Sequence, residues 1–300
     1  QIFKRFNKIE EIQNHTYLDI TDYKNLKKYF EELKPNIVFH LAAQPLVISS
    51  KIEPFRTVQT NIIGTFNLLE IIANSDIKVT SVFATTDKVY KNPHNKNIEN
   101  DPLGSFELYG ATKVACEELI KSFNENENFI NKFSVIRAGN ILGSGDGGKN
   151  RLLTDILDSI NSNNNLNIRN PNSTRPWQYV LDSIGGYLLA AELHSKTNNF
   201  EIFNINNIEL NELSVLDIAN AIISKFKSKI DINISKSKKY KEAEKLVIDS
   251  SKAMKQLDWK CFYSLEMIAN EIYIWNEAKD VDVISISTKQ VDDYLNCFSK

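Results

Sequence analysis

Apolar runs of strand length alternate with predicted helices along this chain. The runs begin at Asn36, Val79 and Phe133, and helical stretches at 54–74 and 105–120 separate them. A run that is apolar throughout is typical of a strand covered on both faces, and a helix between successive strands is the repeat of a parallel sheet. The pattern predicts an α/β fold.

The residues before the first long run predict one further strand and helix. The stretch 17–20 has the pattern of a short strand that ends at Asp19, and Thr21 or Asp22 is placed to cap a helix reaching about Leu33. In the next helix, 54–74, apolar residues recur every three or four positions and predict one buried stripe. Its members are Val58, Ile62, Phe66, Leu69 and Ala73.

Helices and strands alternate again in the second half of the chain. Helices are predicted at 182–193 and 213–225, strands at 202–205 and 230–234, and Ser250 is placed to cap a short helix. The glycine-rich stretch 143–150, GSGDGGKN, formally matches GxGxxG. Because it follows a late strand, we interpret it as a boundary between a domain of residues 1–145 and one of residues 146–300, with segments of the second returning to the first.

Composition excludes several classes of partner and site. A net charge of −2 gives no basic footprint for nucleic acid, and no apolar run approaches the roughly 20 residues of a membrane-spanning helix. Cys116, Cys261 and Cys297 are scattered, and with only four histidines no spacing suggests a metal site. We expect a reducing, cytoplasmic compartment, no metal, no membrane and no nucleic-acid partner.

Tyr109 and Lys113 are the candidate catalytic pair. Four residues apart on a helix, they share one face, and an adjacent cation favours the charged form of a phenol whose pKa is near 10 in water. Tyr109 is therefore a candidate general base for a hydroxyl proton. The alternative is an exposed helical pair without function. Thr86, Asp87 and Asn140 favour the catalytic interpretation, because they follow strands at the sheet edge where ligands of parallel sheets bind.

Arg169 lies just before the turn PNSTRPW and Arg175 lies within it, and both are candidates for a diphosphate site. Guanidinium groups bind phosphate in a bidentate manner, so two of them near one cleft suit a diphosphate. Two surface arginines without function are an equal alternative.

Several motifs resemble those of the extended short-chain dehydrogenase/reductases that act on sugar nucleotides, and most closely those of the CDP-glucose 4,6-dehydratases. They are HLAAQPLV (40–47), TNIIGTFNLLE (60–70), TTDKVY (85–90), YGATK (109–113), RAGNILGSGD (137–146) and IRNPNSTRPWQYVLD (168–182). The resemblance implies a Rossmann-type doubly wound parallel sheet that binds NAD, with a smaller α/β substrate-binding domain. It also implies a homodimer or dimer of dimers and a place in lipopolysaccharide O-antigen biosynthesis.

The resemblance also implies roles for individual residues. The catalytic residues would be Thr86, Asp87, Lys88, Tyr109 and Lys113. The cofactor would contact Asp19, Ile20, Leu41, Ala42, Ala43, Thr60, Tyr109 and Lys113. The nucleotide sugar, expected to be CDP-glucose, would contact Gln44, Asn140, Arg151, Arg169 and Arg175.

The implied reaction removes water from the nucleotide-hexose after transient oxidation at C4. Three alternatives remain open. One is another NAD-dependent sugar-nucleotide dehydratase, and one is an inactive sugar-nucleotide-binding fragment. The third is a 4-epimerase, which shares Tyr109 and Lys113 but has no use for the acid-base pair Asp87 and Lys88. The dTDP-glucose relatives carry Glu at the position of Lys88, and Ile48 stands where the family commonly has Arg.

No glycine-rich turn precedes Asp19, although in this fold that turn holds the pyrophosphate. We therefore expect a first βαβ unit of roughly 30 residues or more upstream of Gln1. On this basis, the 300 residues alone are expected to bind NAD weakly or not at all and to lack dehydratase activity. The chain extended upstream is expected to have both.

Overall fold

The computed structural model describes residues 15–234, 243–278 and 283–298. The helices are α1 (Tyr23–Leu33), α2 (Val47–Ile52), α3 (Pro54–Val58), α4 (Gly64–Ala73), α5 (Leu108–Glu125), α6 (Leu152–Ser162), α7 (Val180–Thr197), α8 (Val215–Lys225), α9 (Ser251–Gln256), α10 (Leu265–Glu277) and α11 (Val283–Phe298). The strands are β1 (Ile37–His40), β2 (Thr80–Ala84), β3 (Lys96–Asn97), β4 (Phe133–Ala138), β5 (Asn140–Leu142), β6 (Leu166–Ile168), β7 (Trp177–Tyr179), β8 (Ile202–Ile205), β9 (Ile232–Ile234) and β10 (Val247–Ile248). A π-helical turn, Gln59–Ile63, joins α3 to α4.

A parallel four-stranded sheet forms the centre of the fold, in the order β1-β2-β4-β8. His40 pairs with Phe83, Ala84 with Ile136, and Ala138 with Ile205. The strands therefore end at one edge of the sheet, which is where ligands of such sheets bind. The parallel sheet confirms the predicted α/β fold.

Helices cover both faces of this sheet, as expected for strands that are apolar throughout. On one face, α1, α4 and α5 pack against the sheet through a core that includes Phe30, Ile72 and Ile120. On the other face, the core contains Ala190 of α7 and the aromatic ring of Trp259. The arrangement is the doubly wound one that the resemblance implied.

The second half of the chain adds a separate apolar core beside the sheet. It is built by α6, α8 and α10, and includes Ile156, Ile218 and Ile272. Strand β6 pairs with β9, and β5 pairs with β7, each in parallel. Both β8 and α7 follow residue 146 in sequence, yet they join the central sheet and its covering layer.

One local prediction was wrong near the beginning of the described chain. No strand forms at 17–20, because no strand among the described residues pairs with it. Strand β1 is an edge of the sheet there, and Ile37 is 52% exposed. The helix that follows, α1, begins as predicted, with the Asp22 carboxylate accepting the Asn25 backbone N–H at 3.2 Å.

The stripe predicted along 54–74 was partly wrong as well. Phe66 is 39% exposed, while Asn61 and Thr65 are buried. The π-helical turn explains the difference, because its wider spacing rotates the residues that follow relative to an α-helix.

Ser250 does not cap its helix with its side chain. Its hydroxyl instead donates a hydrogen bond to Asn206 Oδ1, so it joins two loops at the edge of the sheet.

Candidate active site

A cavity of about 810 Å³ lies at the edge of the sheet where the strands end. It brings together most of the residues singled out from the sequence. They are Leu41, Ala43, Thr86, Asp87, Lys88, Tyr109, Lys113, Asn140, Arg151, Arg169 and Arg175. The volume is in the range of small-molecule and cofactor sites.

Tyr109 lies where the first turn of α5 meets the end of β2. Its side chain is 8% exposed and is hydrogen-bonded to the side chain of Thr86. Gly110 permits this approach, because a Cβ at that position would lie 2.8 Å from the backbone oxygen of Lys88. Glycine at position 110 therefore allows α5 to approach the end of β2 closely enough for Tyr109 to bond Thr86.

Asp87 is the most enclosed acid in the cavity wall. Its side chain is 1% exposed, and Oδ1 accepts the Thr86 hydroxyl at 2.8 Å and lies 3.5 Å from Lys88 Nζ. The second carboxylate oxygen, Oδ2, is buried and has no hydrogen-bond partner among the described residues. Since a buried polar oxygen is normally paired, Oδ2 is a position for a hydrogen bond from a ligand.

Lys113 is held deep in the same wall. Its side chain is buried, and Nζ donates to the backbone oxygen of Ala84 at 2.9 Å. Burial lowers the pKa of Lys113, and the nearby thiol of Cys116 and carboxylate of Glu117 oppose that effect.

From the sequence, the adjacent Lys113 was expected to lower the pKa of Tyr109. For the protein without a ligand this expectation was wrong. Burial raises the pKa of the Tyr109 phenol, and the negative charge of Asp87 raises it further. The hydrogen bond with Thr86 and the charge of Arg151 act in the opposite direction but do not outweigh burial. Desolvation dominates because a phenolate in this pocket loses its contact with water.

Three arginines also line the cavity. Arg175 is 5% exposed, and its Nη1 donates to the backbone oxygen of Thr174 at 2.8 Å. Arg151 pairs with Asp146 at 2.8 Å, and Arg169 is exposed just after β6. Their common location in one cavity supports the interpretation that they bind a diphosphate.

Five of the proposed site residues are not among those that line the cavity: Asp19, Ile20, Ala42, Gln44 and Thr60. The Asp19 carboxylate is exposed and accepts the Thr21 backbone N–H at 2.9 Å. The Gln44 amide donates to Thr57 Oγ1 at 2.9 Å and accepts the Leu46 N–H at 2.7 Å, so both ends of the amide are engaged within the protein.

Asn61 fixes this loop against the catalytic helix. Its Oδ1 accepts the Gln44 backbone N–H at 2.7 Å, and its Nδ2 donates to Thr112 Oγ1 at 3.0 Å. Asn61 thus joins the loop after β1 to the turn of α5 that carries Tyr109 and Lys113.

A buried ionic network behind the cavity was missed from the sequence. Glu117, one turn after Lys113, pairs with Arg137 of β4 at 2.5 Å and accepts the Thr85 hydroxyl at 2.6 Å. The signal was present, because Arg137 is a charged residue inside a run that is otherwise apolar. A buried charge requires a partner, but the pattern along the chain does not say which acid supplies it.

The residues present fit the nicotinamide end of NAD. Ala43 is small enough for the backbone to approach a ligand, and the hydroxyl of Tyr109 and the ammonium of Lys113 lie in the same cavity. The dinucleotide would be held there by Leu41, Ala43, Tyr109 and Lys113.

Comparison with known proteins agrees with this geometry. The family model described as GDP-mannose 4,6 dehydratase matches residues 3–272. The CDP-glucose 4,6-dehydratase of Salmonella typhimurium is 33% identical over 297 residues, covering 94% of this chain and 82% of that protein.

Solved structures show the same fold. The UDP-glucuronic acid 4-epimerase of Bacillus cereus, in complex with UDP-glucuronic acid and NAD, superposes with a TM-score of 0.77 at 24% identity, covering 89% of this chain and 84% of that one. The dTDP-glucose 4,6-dehydratase of Bacillus anthracis, in complex with NAD, gives a TM-score of 0.76 at 19% identity, with coverages of 94% and 86%. On the family match and the relative at 33% identity, this chain belongs to the GDP-mannose 4,6-dehydratase family of extended short-chain dehydrogenase/reductases.

Proposed function

We propose that this protein is an NAD-dependent 4,6-dehydratase of a nucleotide-hexose, with CDP-glucose as its substrate. The observation that carries the proposal is the pair Asp87 and Lys88 beside Tyr109, with Asp87 Oδ2 buried and unpaired in the cavity wall. A 4-epimerase needs a base at the C4 hydroxyl, whereas a dehydratase needs in addition an acid and a base for the elimination. The relative at 33% identity supports the choice of CDP-glucose.

Bound NAD would supply the hydride acceptor for oxidation at C4 and the hydride donor for reduction at C6. In the first step, Tyr109 Oη takes the proton of the C4 hydroxyl. The Thr86 side chain is hydrogen-bonded to the Tyr109 phenol. The raised pKa of Tyr109 means that phenolate must be stabilised in the complex, and the ammonium of Lys113 in the same cavity is available for that purpose.

The ketone at C4 makes the proton at C5 acidic, which permits elimination. The elimination is assigned to this pair: a proton passes from Lys88 to Asp87, Lys88 then takes the C5 proton, and Asp87 gives its proton to the C6 hydroxyl, which leaves as water. With hydride returned to C6 and the proton returned from Lys88 to C5, the product differs from the substrate by the loss of one water molecule. The ion pair of 3.5 Å between Lys88 and Asp87 places the acid and the base on neighbouring residues for this step.

The diphosphate is assigned to Arg151, Arg169 and Arg175, with Asn140 beside them. Charged hydrogen bonds from guanidinium groups to phosphate contribute about 1.5–3 kcal/mol each. Their positions in the cavity that also contains Tyr109 support this assignment. Asp19, Ile20, Ala42, Thr60 and Gln44 remain proposed ligand contacts that lie outside the cavity lining.

We also propose a homodimer or dimer of dimers, formed through the two helical segments 54–74 and 105–124. The exposure of Phe55 at 73%, Ile63 at 46% and Phe66 at 39% along the first segment supports this interface. Among the described helices, none is long and apolar enough to cross a membrane. The cytoplasm as compartment and O-antigen biosynthesis as pathway remain proposals.

The test is to incubate the protein, expressed from its whole reading frame, with NAD and CDP-, dTDP-, UDP- and GDP-glucose. Mass spectrometry should show loss of one water, fastest with CDP-glucose, and NMR should show a 4-keto-6-deoxy sugar. A product of unchanged mass with inverted C4 would establish an epimerase instead. Fastest turnover with another nucleotide would refute the substrate assignment.

A further inference from the structure

One face of α7 forms a wall of the active-site cavity that the mechanism above does not use. Five residues of α7 line the cavity at successive spacings of three and one. They are Val180, Ser183, Ile184, Tyr187 and Leu188. These spacings select a single face of a helix over more than two turns. The wall is therefore a regular surface rather than a chance set of contacts.

This wall is uncharged and carries two hydroxyl groups. Ile184 and Leu188 are 45% and 54% exposed, so their apolar side chains are open to the cavity. Ser183 and Tyr187, four residues apart, supply the hydroxyls. The charged groups of the cavity belong to other elements, which directs a diphosphate away from α7 and leaves this wall for a neutral group.

Ser183 has a polar group that lacks a partner. The residue is 1% exposed, and its Oγ has no hydrogen-bond partner among the described residues. A buried hydroxyl is normally paired, and leaving it unpaired costs free energy. Ser183 Oγ is therefore a candidate partner for a ligand hydroxyl at this wall.

Tyr187 lies close to the reaction centre. Burial raises the pKa of its phenol, and the charge of Tyr109 raises it further, which requires that the two phenols be near each other. Both tyrosines line the same cavity, Tyr109 from α5 and Tyr187 from α7. The two helices pack on opposite faces of the sheet, so the phenols approach the cavity from different sides.

We propose that Tyr187 and Ser183 form the hexose-binding wall of the site and hold the sugar ring against Tyr109. The proposal rests on the function proposed above. An aromatic side chain suits a pyranose because its ring packs against the C–H groups of the sugar while its hydroxyl remains free to bond a sugar hydroxyl. In this arrangement Tyr187 is a substrate-binding residue, and the nucleotide and diphosphate lie elsewhere.

The proposal assigns the hexose of the substrate to α7 and the nucleotide with its diphosphate to other elements. CDP, which lacks the hexose, and CDP-glucose are therefore the two probes. All variants carry Tyr109→Phe to prevent turnover, and calorimetry gives the two dissociation constants. Tyr187→Ala should weaken CDP-glucose binding by about 10-fold or more through loss of the ring and hydroxyl together. Tyr187→Phe and Ser183→Ala should each weaken it by about 2- to 10-fold, the range of one neutral hydrogen bond. The affinity for CDP should stay within about twofold throughout.

Tyr273→Phe is the matched control, because Tyr273 lies on α10 against Phe226 and does not line the cavity. It should change neither constant. Equal weakening of CDP and CDP-glucose, or unchanged binding of CDP-glucose in Tyr187→Ala, would overturn the proposal while leaving the dehydratase assignment in place. If the parent protein binds CDP no more weakly than CDP-glucose, the hexose makes no net contribution and the wall has no such role. If neither ligand binds, the proposed substrate is wrong as well.

Discussion

Glu117 and Arg137 form an ion pair that is almost completely shielded from solvent. The atoms Arg137 Nη2 and Glu117 Oε2 are 2.5 Å apart, and the two side chains are 2% and 3% exposed. The same carboxylate accepts the hydroxyl of Thr85, the residue before Thr86, and the same guanidinium donates to the hydroxyl of Tyr90. The pair therefore ties the helix of Tyr109 and Lys113 to the strand end that carries Thr86 and Asp87.

Removing the charge of Glu117 should destabilise the protein. Glu117→Gln leaves Arg137 buried without its counter-charge, and loss of one partner of a buried pair costs about 3–5 kcal/mol. We expect the free energy of unfolding in guanidinium chloride to fall by this order. Glu118→Gln is the control, because Glu118 is the next residue on the same helix and is exposed. Equal unfolding midpoints for the two variants would contradict the importance of the pair.

Tyr109→Phe should remove turnover while preserving substrate binding. The variant keeps the ring but loses the hydroxyl that takes the C4 proton, and a general base contributes about 100- to 10000-fold to a rate. We expect kcat to fall within that range, with the dissociation constant for CDP-glucose changed much less. Tyr273→Phe, outside the cavity, should leave kcat unchanged. Near-normal kcat in Tyr109→Phe would exclude Tyr109 as the base.

Asp87→Asn should separate oxidation from elimination. The substitution removes the acid for the C6 hydroxyl, so oxidation at C4 should proceed faster than loss of water. In a single turnover, the near-ultraviolet absorbance of the reduced cofactor should rise and persist. Equal slowing of both half-reactions would instead mean that Asp87 only shapes the site.

The same variant also has a pH signature. The negative charge of Asp87 helps to raise the pKa of Tyr109. Without that charge the Tyr109 pKa should be lower, so the ascending limb of the oxidation rate, where Tyr109 loses its proton, should move to lower pH. A limb at unchanged or higher pH would show that Asp87 does not act on the phenol.

Asp182 should make stability depend on pH. Burial raises the pKa of Asp182 from 3.8 to about 7, although the backbone N–H groups of Phe262 and Tyr263 oppose the change. Because the folded protein holds this proton more tightly than the unfolded chain, the contribution to stability is complete below pH 3.8 and is lost as the pH rises to about 7.

Comparison of the wild type with Asp182→Asn isolates this contribution. Between these pH values, the free energy of unfolding of the wild type should fall, relative to the variant, by about 1.4 kcal/mol per pH unit at most. The asparagine can still accept the Phe262 N–H through Oδ1, which the wild-type carboxylate accepts at 3.0 Å. His40, whose pKa burial lowers to about 3, has the opposite dependence, but it is common to both proteins and cancels. A constant difference across the pH range would contradict the raised pKa.

The sequence by itself determined the alternation of strands and helices and the edge at which ligands bind. Apolar runs such as the one that begins at Phe133 can be satisfied only by burial on both faces, so their pattern specifies a parallel sheet without further information. The spacing of Tyr109 and Lys113 is equally local, because the helix repeat alone places both on one face.

Only the tertiary structure decided what surrounds those residues. The pKa of Tyr109 depends on how deeply α5 is buried and on the distance to Asp87, and neither follows from a spacing of four residues. Which acid pairs with Arg137 depends on packing between distant segments. The rotation of Phe66 to the surface depends on one π-helical turn. Tyr187 lies 78 residues after Tyr109 in sequence and reaches the same cavity because α7 returns to cover the sheet. The local pattern of apolar and polar residues determines the secondary structure. The charge states of the site residues, and which residues meet in the site, depend on desolvation and contacts that exist only after the chain has folded.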